Sequence, residues 1–208
     1  MHVETLLAFV ATALLLSFAP GPDNLFVMTQ AALHGRKAGL LITLGLCTGL
    51  IVHTTVVALG VAVIFQKSQL AFNLLKYAGS AYLVYLAWQA FRARSTGGDA
   101  GSSPAAEGKA LYLRGILMNI TNPKVSIFFL AFLPQFVNQQ AGHVSRQMFT
   151  LGGIFILSAL LAFSLMSIFA ATVGTRFRQS ARARGIMNKA AGVVFAGLAA
   201  KLATVHRG

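Results

Sequence analysis

Six stretches of this sequence each run for about twenty residues or more with few charges, the length a helix needs to cross the hydrocarbon core of a bilayer. They fall at 5–32, 40–65, 70–91, 111–133, 148–173 and 186–205. All are continuous apolar runs without two-residue alternation, which excludes a transmembrane barrel. Composition agrees, since 56% of the 208 residues are hydrophobic and 10% are charged, against roughly a quarter charged in a soluble domain. The expectation is an all-α polytopic membrane protein of six transmembrane helices.

The net charge of +13 raises the question of nucleic acid, and the distribution of the charge answers it. Arg36 and Lys37 follow the first span, and Arg92, Arg94 and Lys109 lie between the third and fourth, with Arg114 at the start of the fourth. Arg176, Arg178, Arg182, Arg184 and Lys189 lie between the fifth and sixth. The alternate loops hold Lys67 and Arg146, and Arg207 closes the tail. This asymmetry follows the positive-inside rule: the three basic loops are expected in the cytoplasm and both termini on the periplasmic side. No basic face interleaved with aromatics remains for nucleic acid, and anionic lipid headgroups are the expected partners of the loops.

Ser17-Phe18-Ala19 ends an apolar run in the manner of a signal-peptide cleavage site, but residues 1–5 contain Glu4 and no Lys or Arg, so the first helix is expected to be retained. The single cysteine, Cys47, permits no intramolecular disulfide and argues against a membrane thiol–disulfide carrier.

The longest polar stretch, STGGDAGSSPAAEG at 95–108, has the composition of a flexible linker. It divides the chain into halves at 1–94 and 110–208, with a cytoplasmic linker at 95–109. Each half opens with a proline-interrupted span, at Pro20-Gly21-Pro22 and at Asn122-Pro123. Three spans per half is odd, so the halves enter the membrane from opposite sides, the plan of a 3+3 inverted repeat in secondary transporters. Gly45 and Gly49 form a small-xxx-small pair on the second span. Such a pair serves tight packing within the chain or a homodimer seam. Lys76 lies shallow enough in the third span to reach the headgroups.

A proline inside a helix removes a backbone donor and strands the carbonyl four residues earlier. Pro20 and Pro22 therefore strand Leu16 and Phe18, with Gly21 between them, and Pro123 strands Asn119. Irregular backbone at membrane depth is tolerated where it is buried in protein or lines a cavity. Asp23 is the only acidic residue in any span, and an ionised carboxylate at the bilayer centre costs about 2.5–3.5 kcal/mol on insertion scales. It could cap a half-helix beginning at Leu25, or meet substrate or a proton. In the fourth span Asn122 can cap the downstream half-helix, and Lys124 is a deep cation. Asp23 and Lys124 form either a permanent ion pair or the two poles of a site for a small zwitterion. Asn24 and Asn119 complete the deep polar set, and His53 is a secondary candidate for moving protons.

The runs PGPDNLFVMTQAALHGRKAGLLITLGLCTGLIVH, KYAGSAYLVYLAWQAFR and GILMNITNPKVSIFFLAFLPQFV resemble, in order and over nearly the whole chain, the lysine-exporter (LysE) superfamily, and most closely its homoserine/threonine resistance (RhtB-type) exporters. The resemblance implies a six-span protein of the bacterial inner membrane that exports amino acids or close derivatives, driven by the proton gradient. Pro20, Gly21, Pro22 and Asp23 match the first signature of that family, and Asn122, Pro123 and Lys124 the second. The expected function is thus secondary export of amino acids by proton antiport, with no cofactor. The alternative is export of a metal or small cation. It is disfavoured because Asp23, Asn24, Asn119 and Asn122 are the only deep ligands and Lys124 opposes a cation. A membrane enzyme would need a nucleophile–base pair or metal triad at depth, and none is present in the pattern.

Overall fold

The structure, a computed structural model, describes residues 2–61, 69–92, 108–138, 140–179 and 181–204. Every regular element among them is helical. The helices are α1 (Val3–Phe18), α2 (Pro22–His34), α3 (Arg36–Val56), α4 (Gln69–Arg92), α5 (Gly108–Ile120), α6 (Pro123–Ile127), α7 (Val144–Gln179) and α8 (Ala181–Thr204). α3 runs on into a π-helical turn at Val57–Val61. α6 does likewise at Phe128–Phe132, followed by a 3-10 turn at Leu133–Phe136. All but the last two residues of the expected linker lie outside the described residues.

Both proline-containing sites are real breaks. The chain bends by 60° between α1 and α2, and by 49° between α5 and the segment Pro123–Phe136. Arg36–Gly60 and Val144–Val173 are each long and apolar enough to cross a bilayer unaided, and each bent pair qualifies when taken as one span, giving up to four among the described residues. The remaining two expected spans coincide with α4 and α8, of 24 residues each. At 1.5 Å per residue they reach about 36 Å, but polar residues such as Asn73, Lys76 and Gln89 interrupt α4. α7, with 36 residues, is about 54 Å long and outruns a bilayer core of about 30 Å.

The core is largely apolar, and what departs from a water-soluble protein is the exposed surface. Leu157, Leu161 and Leu165 recur every four residues along α7 and are 50–67% exposed, forming an apolar stripe suited to lipid. The interior contains Thr12, Ser17, Thr43, Thr54, Ser80, Ser158 and Ser167. Most of these hydroxyls are satisfied within their own helix, as when Thr12 donates to the carbonyl of Ala8 and Thr54 to that of Leu50, each at 2.8 Å, while Ser167 donates across to the carbonyl of Arg36 at 3.2 Å. Lys76 does not reach outward as its depth suggested. It is 4% exposed, with its ammonium 4.5 Å from the centre of the Tyr77 ring.

Helices pair across the two halves of the chain. α1 and α2 pack on α7, while α5 packs on α3; α3 also packs on α7, and α4 on α8. The α3–α5 crossing explains the small residues. A Cβ on Gly115 would stand 3.1 Å from the Cα of Gly45, and one on Gly49 would meet the Asn119 side chain at 2.7 Å. Gly45 and Gly49 are thus used inside the chain, where they let two backbones nearly touch.

Candidate functional site

The last turn of any helix leaves carbonyls without backbone partners, and at the end of α1 the proline break prevents the chain from supplying them. Side chains supply them instead. The Asn24 Nδ2 donates to the carbonyl of Ser17 at 2.7 Å, and the Lys124 Nζ donates to that of Ala19 at 2.8 Å. The side-chain donors thus reach the carbonyls of Ser17 and Ala19, next to those of Leu16 and Phe18 whose backbone donors the prolines remove.

α2 starts at Pro22, with Gly21 in the cap position and the Leu25 N–H donating to the Gly21 carbonyl at 3.0 Å. Asp23 is therefore not the cap of a helix beginning at Leu25. Proline at the first helical position starts the helix one turn sooner, since its fixed φ is already helical and it has no N–H to leave unpaired. Asp23 is then the second helical residue, where the helix dipole favours a negative charge.

The second break matches its expectation closely. The side chain of Asn122 accepts from the Lys124 N–H at 3.0 Å, capping α6. Pro123 leaves the Asn119 carbonyl to others, and it lies 3.1 Å from both the Asn122 N–H donor and the His53 Nε2. Accepting at that carbonyl places the proton of His53 on Nε2. Lys124 is, like Asp23, the second residue of its helix, and there the dipole opposes its charge. Its bond to Ala19, at the negative end of α1, offsets this.

The two breaks thus hold each other. Lys124 of the second half reaches the end of α1, and Asn119 Nδ2 lies 3.5 Å from Asp23 Oδ2. Asp23, Asn24, Asn119, Asn122 and Lys124 are between 1% and 8% exposed, so the structure gathers all five into one buried cluster. Asn122 lies against the Asp23 carboxylate, and Lys124 and His53 are within electrostatic range of it. Asp23 and Lys124 do not form a direct ion pair. The cluster also has unpartnered atoms: Asp23 Oδ1, Asn24 Oδ1 and Asn119 Oδ1 are buried without a hydrogen-bond partner.

Several contributors carried no sequence signal of their own. Met166 of α7 puts its sulfur 3.6 Å from Asn24 Nδ2, and Phe195 of α8 lies with its ring centre 5.6 Å from Lys124 Nζ. Nothing local distinguishes either from an ordinary core residue. Gly49 stands out in the sequence as a packing glycine, and the fold shows that it leaves room for Asn119. His53 was found, but only the fold brings it to Asn119 and against the Phe129 ring, with centroids 5.7 Å apart. Among the described residues, no three His, Cys, Asp or Glu side chains gather as a metal site.

The chain is similar to several curated proteins. It is 31% identical over 208 residues to the uncharacterized membrane protein YrhP of Bacillus subtilis, covering 96% of this chain and 98% of that one. An uncharacterized membrane protein of Vibrio cholerae is 33% identical over 205 residues, or 98% of each chain. The homoserine/homoserine lactone efflux protein of Salmonella typhimurium is 35% identical over 146 residues, 70% of this chain and 71% of that one. No solved structure matches the chain. Residues 14–206 match the family model described as LysE type translocator, so the two proline breaks and the polar residues that tie them together all fall within a chain that belongs to the LysE family of translocators.

Proposed function

We propose that this protein is a secondary transporter that exports amino acids or close derivatives from the cytoplasm in exchange for protons. The observation that carries the reading is the buried cluster at the facing breaks. Lone charged groups inside a membrane protein are costly and mark ligand or proton paths. Here a carboxylate, a lysine and three asparagines converge from both halves. Efflux of homoserine and homoserine lactone by the Salmonella typhimurium relative supports the substrate class. Export of a metal is not favoured, because the cluster offers a single carboxylate and places an ammonium beside it.

In this reading six helices cross the bacterial inner membrane as a 3+3 inverted repeat, with halves 1–94 and 110–208 joined by a flexible linker at 95–109. The exchange pattern of the packing supports it. Swapping the halves turns the contact of the first span with α7 into that of α5 with α3, and leaves the α3–α7 and α4–α8 pairings unchanged. Asp23, Asn24, Asn119, Asn122 and Lys124 form the substrate and proton site. Pro20, Gly21, Pro22 and Pro123 provide the broken backbone, and His53 is the reserve proton carrier. Lys124 acts chiefly by tying the second break to the end of α1.

The test is efflux of a panel of preloaded, labelled amino acids from cells with and without the protein. Accelerated loss of at least one neutral or polar amino acid is expected. A panel with no difference, together with metal accumulation in a deletion strain, would replace the reading by its alternative. Topology is checked separately. Cysteines introduced at Gln66 and Gln140 should label from outside intact cells, and one at Gly98 only after permeabilisation. The opposite pattern would invert the orientation and with it the direction of transport.

A further inference from the structure

A glycine inside a membrane protein usually serves close packing or an unusual backbone angle, and Gly21 serves neither. Packing glycines such as Gly39, Gly45, Gly49, Gly115 and Gly152 have no room for a side chain, since a Cβ on any of them would stand between 2.1 and 2.7 Å from a neighbouring atom. Gly35 holds a φ of 83°, in the region that favours glycine. At Gly21 the φ of −168° and ψ of 178° are extended backbone that any residue adopts. The nearest atom to a Cβ there would be 3.3 Å away. Neither backbone angle nor packing requires a glycine in the first break.

What surrounds that point is the site itself. The atoms nearest to the added Cβ are Lys124 Nζ at 3.3 Å, with Asn24 Oδ1 and Lys124 Cδ at 3.6 Å each. A methyl group fits at those distances with a slight shift of the flexible lysine end, so the glycine leaves a methyl-sized room beside an ammonium and an amide oxygen. Both lining atoms have bonding capacity to spare. Lys124 Nζ carries three N–H donors, and its bond to the Ala19 carbonyl uses one. Asn24 Oδ1 is buried without a hydrogen-bond partner, and its amide is held in that orientation by Nδ2 on the Ser17 carbonyl. Asn24 and Lys124 are 1% and 8% exposed, whereas Gly21 is half-buried, so the room is approached over the glycine.

Building on the export reading, we infer that Gly21 is a specificity-determining residue, keeping open a room beside Lys124 Nζ and Asn24 Oδ1 that a polar group of the solute enters. Buried polar groups with unused bonding capacity call for a hydrogen-bonding partner, and the room is where one can reach both atoms at once. A side chain at position 21 takes the place of that group. Alanine shuts it out with a methyl that neither lining atom can bond. Serine shuts it out with a hydroxyl, which can accept from Lys124 Nζ and donate to Asn24 Oδ1. The protein then gains a bond while the solute loses its place. Stability and affinity therefore move in opposite directions at this position, an outcome that a glycine kept for structure does not produce.

The experiment compares the full-length protein with Gly21→Ala, Gly21→Ser and Gly35→Ala, in proteoliposomes for transport and in detergent for thermal unfolding. The probes are labelled L-alanine, L-serine, L-threonine and L-leucine. For each solute that the parent moves, both substitutions at 21 should raise KM at least about tenfold with the maximal rate held within about threefold, the signature of lost binding. Gly21→Ser should also unfold at a higher temperature than the parent. Gly35→Ala, which forces a side chain into a positive-φ position, should unfold at a lower temperature and keep the parent's KM. Three results would overturn the inference and leave the export reading intact: a KM for Gly21→Ala within about threefold of the parent's, failure of the variants at 21 to reach the membrane, or an equal rise of KM in Gly35→Ala. Solutes that raise the parent's unfolding temperature without being moved would remove the export reading, and Kd on the same variants then decides the inference. A parent that neither moves nor binds any of these solutes ends both.

Discussion

Asp23→Asn reaches the membrane in normal amount and no longer moves substrate uphill. The substitution keeps the shape of the side chain, and the group it replaces is 4% exposed, so removing a buried charge relieves desolvation without opening a void. Asn119, which faces Asp23 Oδ2, can turn its amide to suit the new partner. What the variant lacks is a site that can take up and release a proton and that carries a negative charge for an ammonium. In an exchanger, proton and substrate must exclude each other at some shared point, and no other acidic residue lies in the apolar segments. The assay is proteoliposome transport against a concentration gradient with an imposed pH difference. A fall of at least about tenfold, the equivalent of one 1.4 kcal/mol interaction, is expected. Uphill transport at the wild-type rate would make Asp23 a structural residue and direct attention to His53.

Pro123→Ala has the second large effect, and Pro22→Ala should have much less. An alanine at 123 restores an N–H directed at the Asn119 carbonyl, the acceptor now shared by Asn122 and His53. The helix can then run on, which straightens the 49° bend and withdraws Lys124 from the carbonyl of Ala19. Interior proline costs a helix about 3 kcal/mol in water, so the variant should insert and resist heating at least as well as the parent. Its efflux should fall at least about tenfold. Pro22 is exposed and at the first position of α2, where a missing N–H is of no consequence, and Pro20 still interrupts the helix in its absence. If both variants transported normally, the second break would be a kink without a role.

The contrast between the prolines shows where sequence reading succeeds and where it stops. The breaks, the cap formed by Asn122 and the depth of Asp23 and Lys124 are local consequences of residue type, and they were legible from a few residues at a time. The side chains that cover the neighbouring carbonyls were not. Proline spacing identifies the carbonyls of Leu16 and Phe18 as losing their donors, whereas those of Ser17 and Ala19 are met by Asn24 and by Lys124 from far along the chain. Nor could the ion-pair alternative be decided, because it turns on whether Lys124 points at a carboxylate or at a carbonyl one turn away. Contacts of Asn24 with Met166 and of Lys124 with Phe195 depend on tertiary packing alone.

The way the breaks hold each other has a consequence for biogenesis. Asn119, which faces Asp23, is synthesised 96 residues after it, the lysine that satisfies Ala19 comes 105 residues after that carbonyl, and Met166 follows Asn24 by 142. Until α5, α6 and α7 leave the ribosome, the earlier helices stand with an interrupted backbone and a buried acid whose later partners are not yet made. Such a nascent intermediate is a target for quality-control proteolysis. The first half expressed by itself should therefore be short-lived in the membrane, and it should be rescued when the second half is supplied as a separate chain.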